Sequence, residues 1–334
     1  MKKQHIIPLV KKFLTLLIFC GVGFFAFGAG SAFHLLRDVQ CERSYHLINA
    51  GVVCGSPRVI DKKDYTQTEN ALIALIEAEK TSGRLTDASV YFRDLKNGPI
   101  FGVNEAADYA PASLLKVPLA LVYLTQAERN PEILNDQLSV SRPQWDFSEH
   151  YPSPTTIDPH TPHTVEDLLM HMLQYSDNNA YGVLLTHLYE EGKQGIATQV
   201  FLELGFIDPV DIYDETLSVR QYAGILRTLY SSSFLNAALS EKMLGWLAAS
   251  DFTQGLAGGI PDDMVIAHKF GERVLPDSKG GGKTSQLHDC GIIYYPGNPY
   301  LLCVMTRGSD MDSLTATIRR ISSMVYDEVN SRRL

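Results

Sequence analysis

Hydrophobic and polar positions change their rhythm several times along this chain, and each change marks an element. From 13 to 36 the text FLTLLIFCGVGFFAFGAGSAFHLL contains no Asp, Glu, Lys or Arg. As a helix it would run roughly 36 Å, enough to cross the apolar core of a bilayer. Residues 38–64 show little periodicity and read as a linker or a small tethering element. At 65–83, YTQTENALIALIEAEKTSG, apolar residues fall at helical spacing, with Ala71, Leu72, Leu75 and Ile76 on one stripe. The period then drops to two. DASVYFRDL (87–95) alternates like a strand, an Asn-Gly turn follows, and PIFGVN (99–104) returns, which predicts a hairpin.

Three more strand patterns lie near the other end: DMVIAHKFGERV (263–274), HDCGIIYY (288–295) and PYLLCVMTRG (299–308). The last element, 313–329, is amphipathic, with Ile318, Ile321, Met324 and Val325 on one side. Between these ends, 109–259 is almost entirely helical in pattern. Thr164 with Asp167, and Ser218 with Gln221, stand at capping-box spacing before two of its helices. YPSPTTIDPHTPH (151–163) reads as a loop. Five strands from both chain ends predict one antiparallel sheet covered by terminal helices, with an all-helical lobe inserted, an α/β architecture. The body is then 65–334, with 65–108 and 260–334 forming the α/β part and 109–259 the lobe. The cleft between sheet and lobe is the natural place for a site.

Charge refines this picture. The net charge of -9 over 334 residues excludes nucleic acid as the main partner, since phosphate binding needs a basic surface. Lys2, Lys3, Lys11 and Lys12 precede the apolar run and no lysine stands just after it. That asymmetry predicts an exported body, with residues 1–37 either a membrane anchor or a signal peptide cleaved near the small residues 28–32. Cys20 reads as an apolar residue of that run. Cys41 and Cys54 flank a short segment where a disulfide suits an oxidising compartment. Cys290 and Cys303 lie symmetrically about the turn YPGNPY, either as a cross-strand disulfide or as two buried thiols. His160, His163 and His171 lack matching carboxylate spacing, so neither metal nor other cofactor is expected.

The candidate chemistry starts in ADYAPASLLKVPLALVYL (107–124). Ser113 and Lys116 stand one helical turn apart in an apolar run, and lysine is rarely buried unless it has a partner. Burial lowers the pKa of an amine, so Lys116 can take the Ser113 proton. Ser176-Asp177-Asn178 breaks an amphipathic helical pattern, as a capping turn also would. Lys269-Phe270-Gly271 places a cation and a glycine in mid-strand, where a ligand can approach the backbone; an edge lysine guarding against aggregation gives the same text.

In this order the three resemble the three-part signature of penicillin-recognising serine enzymes, and most closely the class A β-lactamases. The resemblance extends from about residue 65 to the end, through HTVEDLLMHMLQYSDNNA, VIAHKFG and DCGIIYYPGNPYLLCVMTRG. It implies a β-lactamase/transpeptidase-like fold and an acyl-enzyme on Ser113. It further implies activation by Lys116, proton relay by Ser176, substrate side-chain binding by Asn178, and carboxylate attraction by Lys269. The oxyanion would lie between the N–H groups of Ser113 and Glu272, beside Gly271. The implied partner is a β-lactam or a D-Ala-D-Ala cell-wall peptide, met by a monomer.

Two departures stand out. Phe270 replaces the threonine usual in the third motif; GGGKTS (280–285) reads as a Gly-rich loop, and Asp277 stands where a phosphate-binding loop needs glycine. The Glu-x-x-Leu-Asn loop that activates the deacylating water has no match between Asn178 and Lys269. The nearest text is Asp214-Glu-Thr-Leu-Ser, which makes Asp214 the candidate base. The leading reading is therefore a β-lactam hydrolase, followed by a slowly deacylating cell-wall peptidase and a non-catalytic binding module.

Overall fold

The computed structural model describes residues 45–49, 51–52, 64–96, 98–140, 149–206, 216–276 and 283–332. The apolar run 13–36, Cys41, Cys54 and Asp214 lie outside them. Among the described residues no helix is long and apolar enough to cross a membrane.

Helix α1 (Thr66–Thr81) leads into strands β1 (Leu85–Asp94) and β2 (Ile100–Val103). The lobe holds helices α2 (Lys116–Arg129), α3 (Val165–Gln174), α4 (Asn178–Glu190), α5 (Gln194–Glu203), α6 (Val219–Tyr230) and α7 (Ala237–Ala248), and a two-residue ribbon of β3 (Gln137–Leu138) and β4 (His163–Thr164). Strands β5 (Ile266–Pro276), β6 (Lys283–Ile293) and β7 (Tyr300–Gly308) and helix α8 (Met311–Ser331) complete the body. All pairings in the five-stranded sheet, order β2-β1-β7-β6-β5, are antiparallel. The capping signals hold: Thr164 accepts from the Asp167 N–H, and Ser218 and Gln221 form the full reciprocal box. The Asp167 carboxylate instead accepts from His163 at 3.1 Å.

Strand alternation splits the core in two. Tyr91, Ala267, Cys290, Ile292, Leu301, Cys303 and Met305 face the lobe, while Val90, Phe92, Phe270, Leu287, Leu302 and Val304 face α1 and α8. Lys269 and Gly271, two and four residues beyond Ala267, therefore stand on the lobe side. Cys290 and Cys303 are direct cross-strand partners and form a disulfide.

Three expectations need correction. The buried stripe of α1 is Thr68, Leu72, Leu75, Ile76 and Glu79, and Ala71 is exposed, because the stripe follows the sheet rather than the longest apolar word. Lys283, Thr284 and Ser285 open β6 instead of lying in a loop, since they pair with Pro276, Leu275 and Val274. The expected linker is bound in part. The N–H groups of His46, Leu47 and Ile48 converge on the Glu241 carboxylate at 2.6–3.0 Å, and Ile48 enters the lobe core. Glu241→Ala is expected to abolish the amide-exchange protection of residues 46–48 while shifting the Tm of the body by less than about 2 °C, because only a peripheral contact is lost. Exchange mass spectrometry beside a thermal melt checks both.

Candidate active site

Ser113 sits on a one-turn 3₁₀ helix (Ala112–Leu115) that runs directly into α2. Ala112 has φ of +50°, a left-handed conformation costing an alanine about 1 kcal/mol. The surroundings that hold it are visible. Ala110 donates its N–H to Gln286 Oε1 at 3.1 Å and accepts from His288 Nε2 at 3.0 Å, so β6 grips this residue by both backbone groups. His288 Nδ1 accepts from the Thr306 N–H at 3.4 Å, consistent with a neutral ring. Burial pushes its pKa down to about 4. From the neighbouring strand Gly271 touches the same turn: a Cβ there would lie 2.9 Å from Pro111 O and 3.1 Å from Leu114 N. Only glycine lets β5 come so close to the nucleophile.

Lys116 is 2 % exposed. It donates to Ser176 Oγ at 3.1 Å, to Asn178 Oδ1 at 2.7 Å and to the Ser176 carbonyl. Lys269, 1 % exposed, donates to the same Ser176 Oγ at 2.8 Å and to the Phe270 carbonyl at 3.0 Å. Its burial rules out the edge-guard reading. One hydroxyl is thus flanked by two buried amines. Burial lowers the Lys116 pKa to about 8, against the pull of Glu149, Asp177 and Glu272. Roughly one molecule in ten then carries the neutral amine at pH 7, some hundreds of times more than for an ordinary lysine. Burial, then the charge of Lys116, holds Lys269 well below its ordinary pKa as well.

The turn carrying Ser176 combines structure and chemistry. Ser176 has φ of +56°, while Asp177 caps α4 by accepting from the Asn179 N–H at 2.8 Å and takes the Ile157 N–H at 2.8 Å. Next to Lys269 on the far face of the sheet, His268 Nδ1 meets Asp289 Oδ1 at 2.8 Å, and Asp289 Oδ2 accepts from the Leu256 N–H at 2.8 Å. This buried pair locks β5 to β6.

The structure joins Lys116, Ser176, Asn178 and Lys269 in one hydrogen-bonded group and sets Gly271, with Glu272 next to it in β5, against the turn that carries Ser113. Phe270 turns its ring away, stacked on Phe252 with 4.0 Å between centroids, so the missing threonine hydroxyl has no replacement at this position. The Glu272 side chain takes an unforeseen role: its carboxylate accepts the N–H groups of His150 and Tyr151 at 2.8–3.1 Å. Tyr151 is further tied by its hydroxyl to Thr315 at 2.6 Å. Residue 149 of this strap was also missed. Glu149 Oε1 accepts from Asn178 Nδ2, and burial raises its carboxyl pKa. No local pattern marks it, since it precedes a Pro-rich loop that reads as solvent-facing. Among the described residues no cluster of three or more His, Cys, Asp or Glu side chains could hold a metal.

The profile of the beta-lactamase enzyme family matches residues 68–329. The chain belongs to that family. No curated protein matches it significantly. Among solved structures it is similar to PBP-A, at 20 % identity and a TM-score of 0.66 over 82 % of this chain and 100 % of the other. A mutant of PBP-A seen as an acyl-enzyme complex with penicillin G gives 21 % and 0.65 over the same shares. A class A beta-lactamase from Mycobacterium abscessus gives 21 % and 0.63 over 79 % of this chain and 99 % of the other. These likenesses establish the class A beta-lactamase fold.

The His288 clamp makes a pH dependence. In the unfolded chain the ring binds a proton below its ordinary pKa of 6.5, whereas in the folded protein it stays neutral down to about 4. Its contribution to folding is therefore complete above about pH 6.5 and is lost as pH falls towards 4. Comparing urea unfolding at pH 7.5 and pH 5.0, the wild type is expected to lose about 2 kcal/mol more than His288→Gln.

Proposed function

We propose that this chain is a serine acyl-enzyme hydrolase that opens β-lactam amides outside the cytoplasm. The observation that carries the reading is the Ser176 hydroxyl held between Lys116 and Lys269, one helical turn from a Ser113 whose Oγ has no hydrogen-bond partner among the described residues. In its neutral form Lys116 takes the Ser113 proton, and Oγ attacks the lactam carbonyl. The oxyanion forms against the N–H groups of Ser113 and Glu272. Ser176 passes a proton to the lactam nitrogen as the C–N bond breaks, and the neighbouring amines resupply it. Lys269 receives the substrate carboxylate, which restores the charge that burial and Lys116 oppose. PBP-A in its penicillin G acyl-enzyme has the same fold, which supports a β-lactam as acyl donor. The lysines before residues 13–36 and the Cys290–Cys303 disulfide support an oxidising, extracytoplasmic location.

A second reading, a cell-wall peptidase that keeps its acyl group, is favoured by one feature. A cleft of about 120 Å³ between α2, α4 and α5, lined by Leu115, Leu119, Tyr181, Leu185 and Phe201, lies beside Lys116 with no carboxylate among its lining residues. Its Tyr181 ring centre lies 5.9 Å from Lys116 Nζ.

Intact-mass spectrometry of the purified body mixed with benzylpenicillin is expected to show one adduct, absent in Ser113→Ala and formed at least about 10²-fold more slowly in Lys116→Met. No adduct on the wild type sinks the reading. Lys269→Ala is expected to weaken acylation by free benzylpenicillin at least about tenfold, yet to leave acylation by its methyl ester within about threefold, because one charge-assisted contact is removed. Equal losses for both would remove Lys269 from carboxylate binding.

A further inference from the structure

Acylation needs the groups already placed, but hydrolysis of the acyl-enzyme needs a base for water. Five carboxylates act on the two lysines, and three are committed elsewhere. Asp177 is spent on the Ile157 and Asn179 N–H groups, Glu272 on those of His150 and Tyr151, and Asp289 on Leu256 and His268. Asp251 acts on Lys269 and His268 without a hydrogen bond to any of the site residues among the described residues, and the fifth is Glu149. Among the described residues it is the one carboxylate hydrogen-bonded to any of Ser113, Lys116, Ser176, Asn178 and Lys269, through Asn178 Nδ2. Asn178 turns its other amide atom to Lys116 at 2.7 Å, so a single side chain bridges amine and carboxylate.

We propose, on the footing of the acyl-enzyme reading above, that Glu149 is the base that hydrolyses the Ser113 ester. Water adds its oxygen to the acyl carbon and its proton passes to the Glu149 carboxylate. The tetrahedral oxyanion collapses, the C–Oγ bond breaks, and Oγ takes a proton from the Lys116 ammonium. The proton held by Glu149 then returns to Lys116, and both groups end as they began. The setting suits this work. The strap holding Glu149 is pinned to β5 by the Glu272 carboxylate and to α8 by the Tyr151 hydroxyl. Desolvation, partly offset by Lys116 and Lys269, strengthens the carboxylate as a base.

Glu149→Gln keeps an oxygen for Asn178 Nδ2 but cannot take a proton at that atom. In the full body, loaded with benzylpenicillin and then freed of excess drug, this variant is expected to form the adduct within about threefold of the wild-type rate. It is expected to lose that adduct at least about 10²-fold more slowly. Glu149→Asp, whose carboxylate is set back by one carbon, should clear it at an intermediate rate. Adduct loss from the Gln variant within about threefold of wild type overturns the proposal while leaving the acyl-enzyme reading intact. A wild-type adduct that persists also overturns it and selects the peptidase reading. Failure of the wild type to form any adduct removes both.

Discussion

Two lysines buried against one serine hydroxyl set the terms for the rest of this molecule. Among the described residues neither amine has an ion-pair partner within hydrogen-bond reach, so each depends on neutral oxygen acceptors and on carboxylates placed farther off. Moving an ammonium out of water costs several kcal/mol, and two of them beside one atom also repel. The least costly answer is to share charge: the pair holds fewer protons than two free lysines would, and an uncharged amine becomes available at neutral pH. The same arrangement constrains the fold. Lys116 comes from α2, Ser176 from the turn before α4, and Lys269 from β5. The lobe cannot slide on the sheet without pulling these three segments apart.

The sheet supplies the precision that such sharing requires. Its period of two directs Lys269, Gly271, Gln286 and His288 to the lobe, and Phe270, His268 and Asp289 to the terminal helices. One face therefore grips the serine turn, while the other locks the strand that carries Lys269. The left-handed Ala112 and Ser176 lie where these grips meet. Backbone in that region survives when neighbours over-determine it. At Ala112 the neighbours are Gly271 in contact with the turn and the two hydrogen bonds to Ala110.

The parts of the site legible in the sequence were those that contradict their local surroundings. Lys116 in an apolar helix, Lys269 in an apolar strand and a polar break at 176–178 are each costly unless they meet, so their presence carries information. The sheet was legible for a related reason, because alternation and turn residues are local. Glu149, Gln286 and His288 break no local rule: a Glu beside a loop and polar residues in a strand are ordinary text. Their partners are Asn178 and Ala110, and Ala110 lies 176 and 178 residues away from the last two. Only the closed fold reveals such pairs. The docking of residues 46–48 on Glu241 was hidden for the same reason, and α1's true stripe depended on a sheet that its own period does not describe.

On the acyl-enzyme reading proposed above, the fate of an acyl group on Ser113 turns on the two sides of Lys116. On one side lies a cleft lined mostly by leucines and aromatic rings, with Gln194 and Thr198 but no carboxylate to take a proton from water. On the other, Asn178 and Glu149 offer an acceptor beside the amide, within the field of both lysines. Under the proposed acyl-enzyme reading, water becomes a nucleophile only where its proton has somewhere to go. On that reading the polar wall decides the lifetime of the acyl group, and it is built by the strap that Glu272 and Thr315 hold in place.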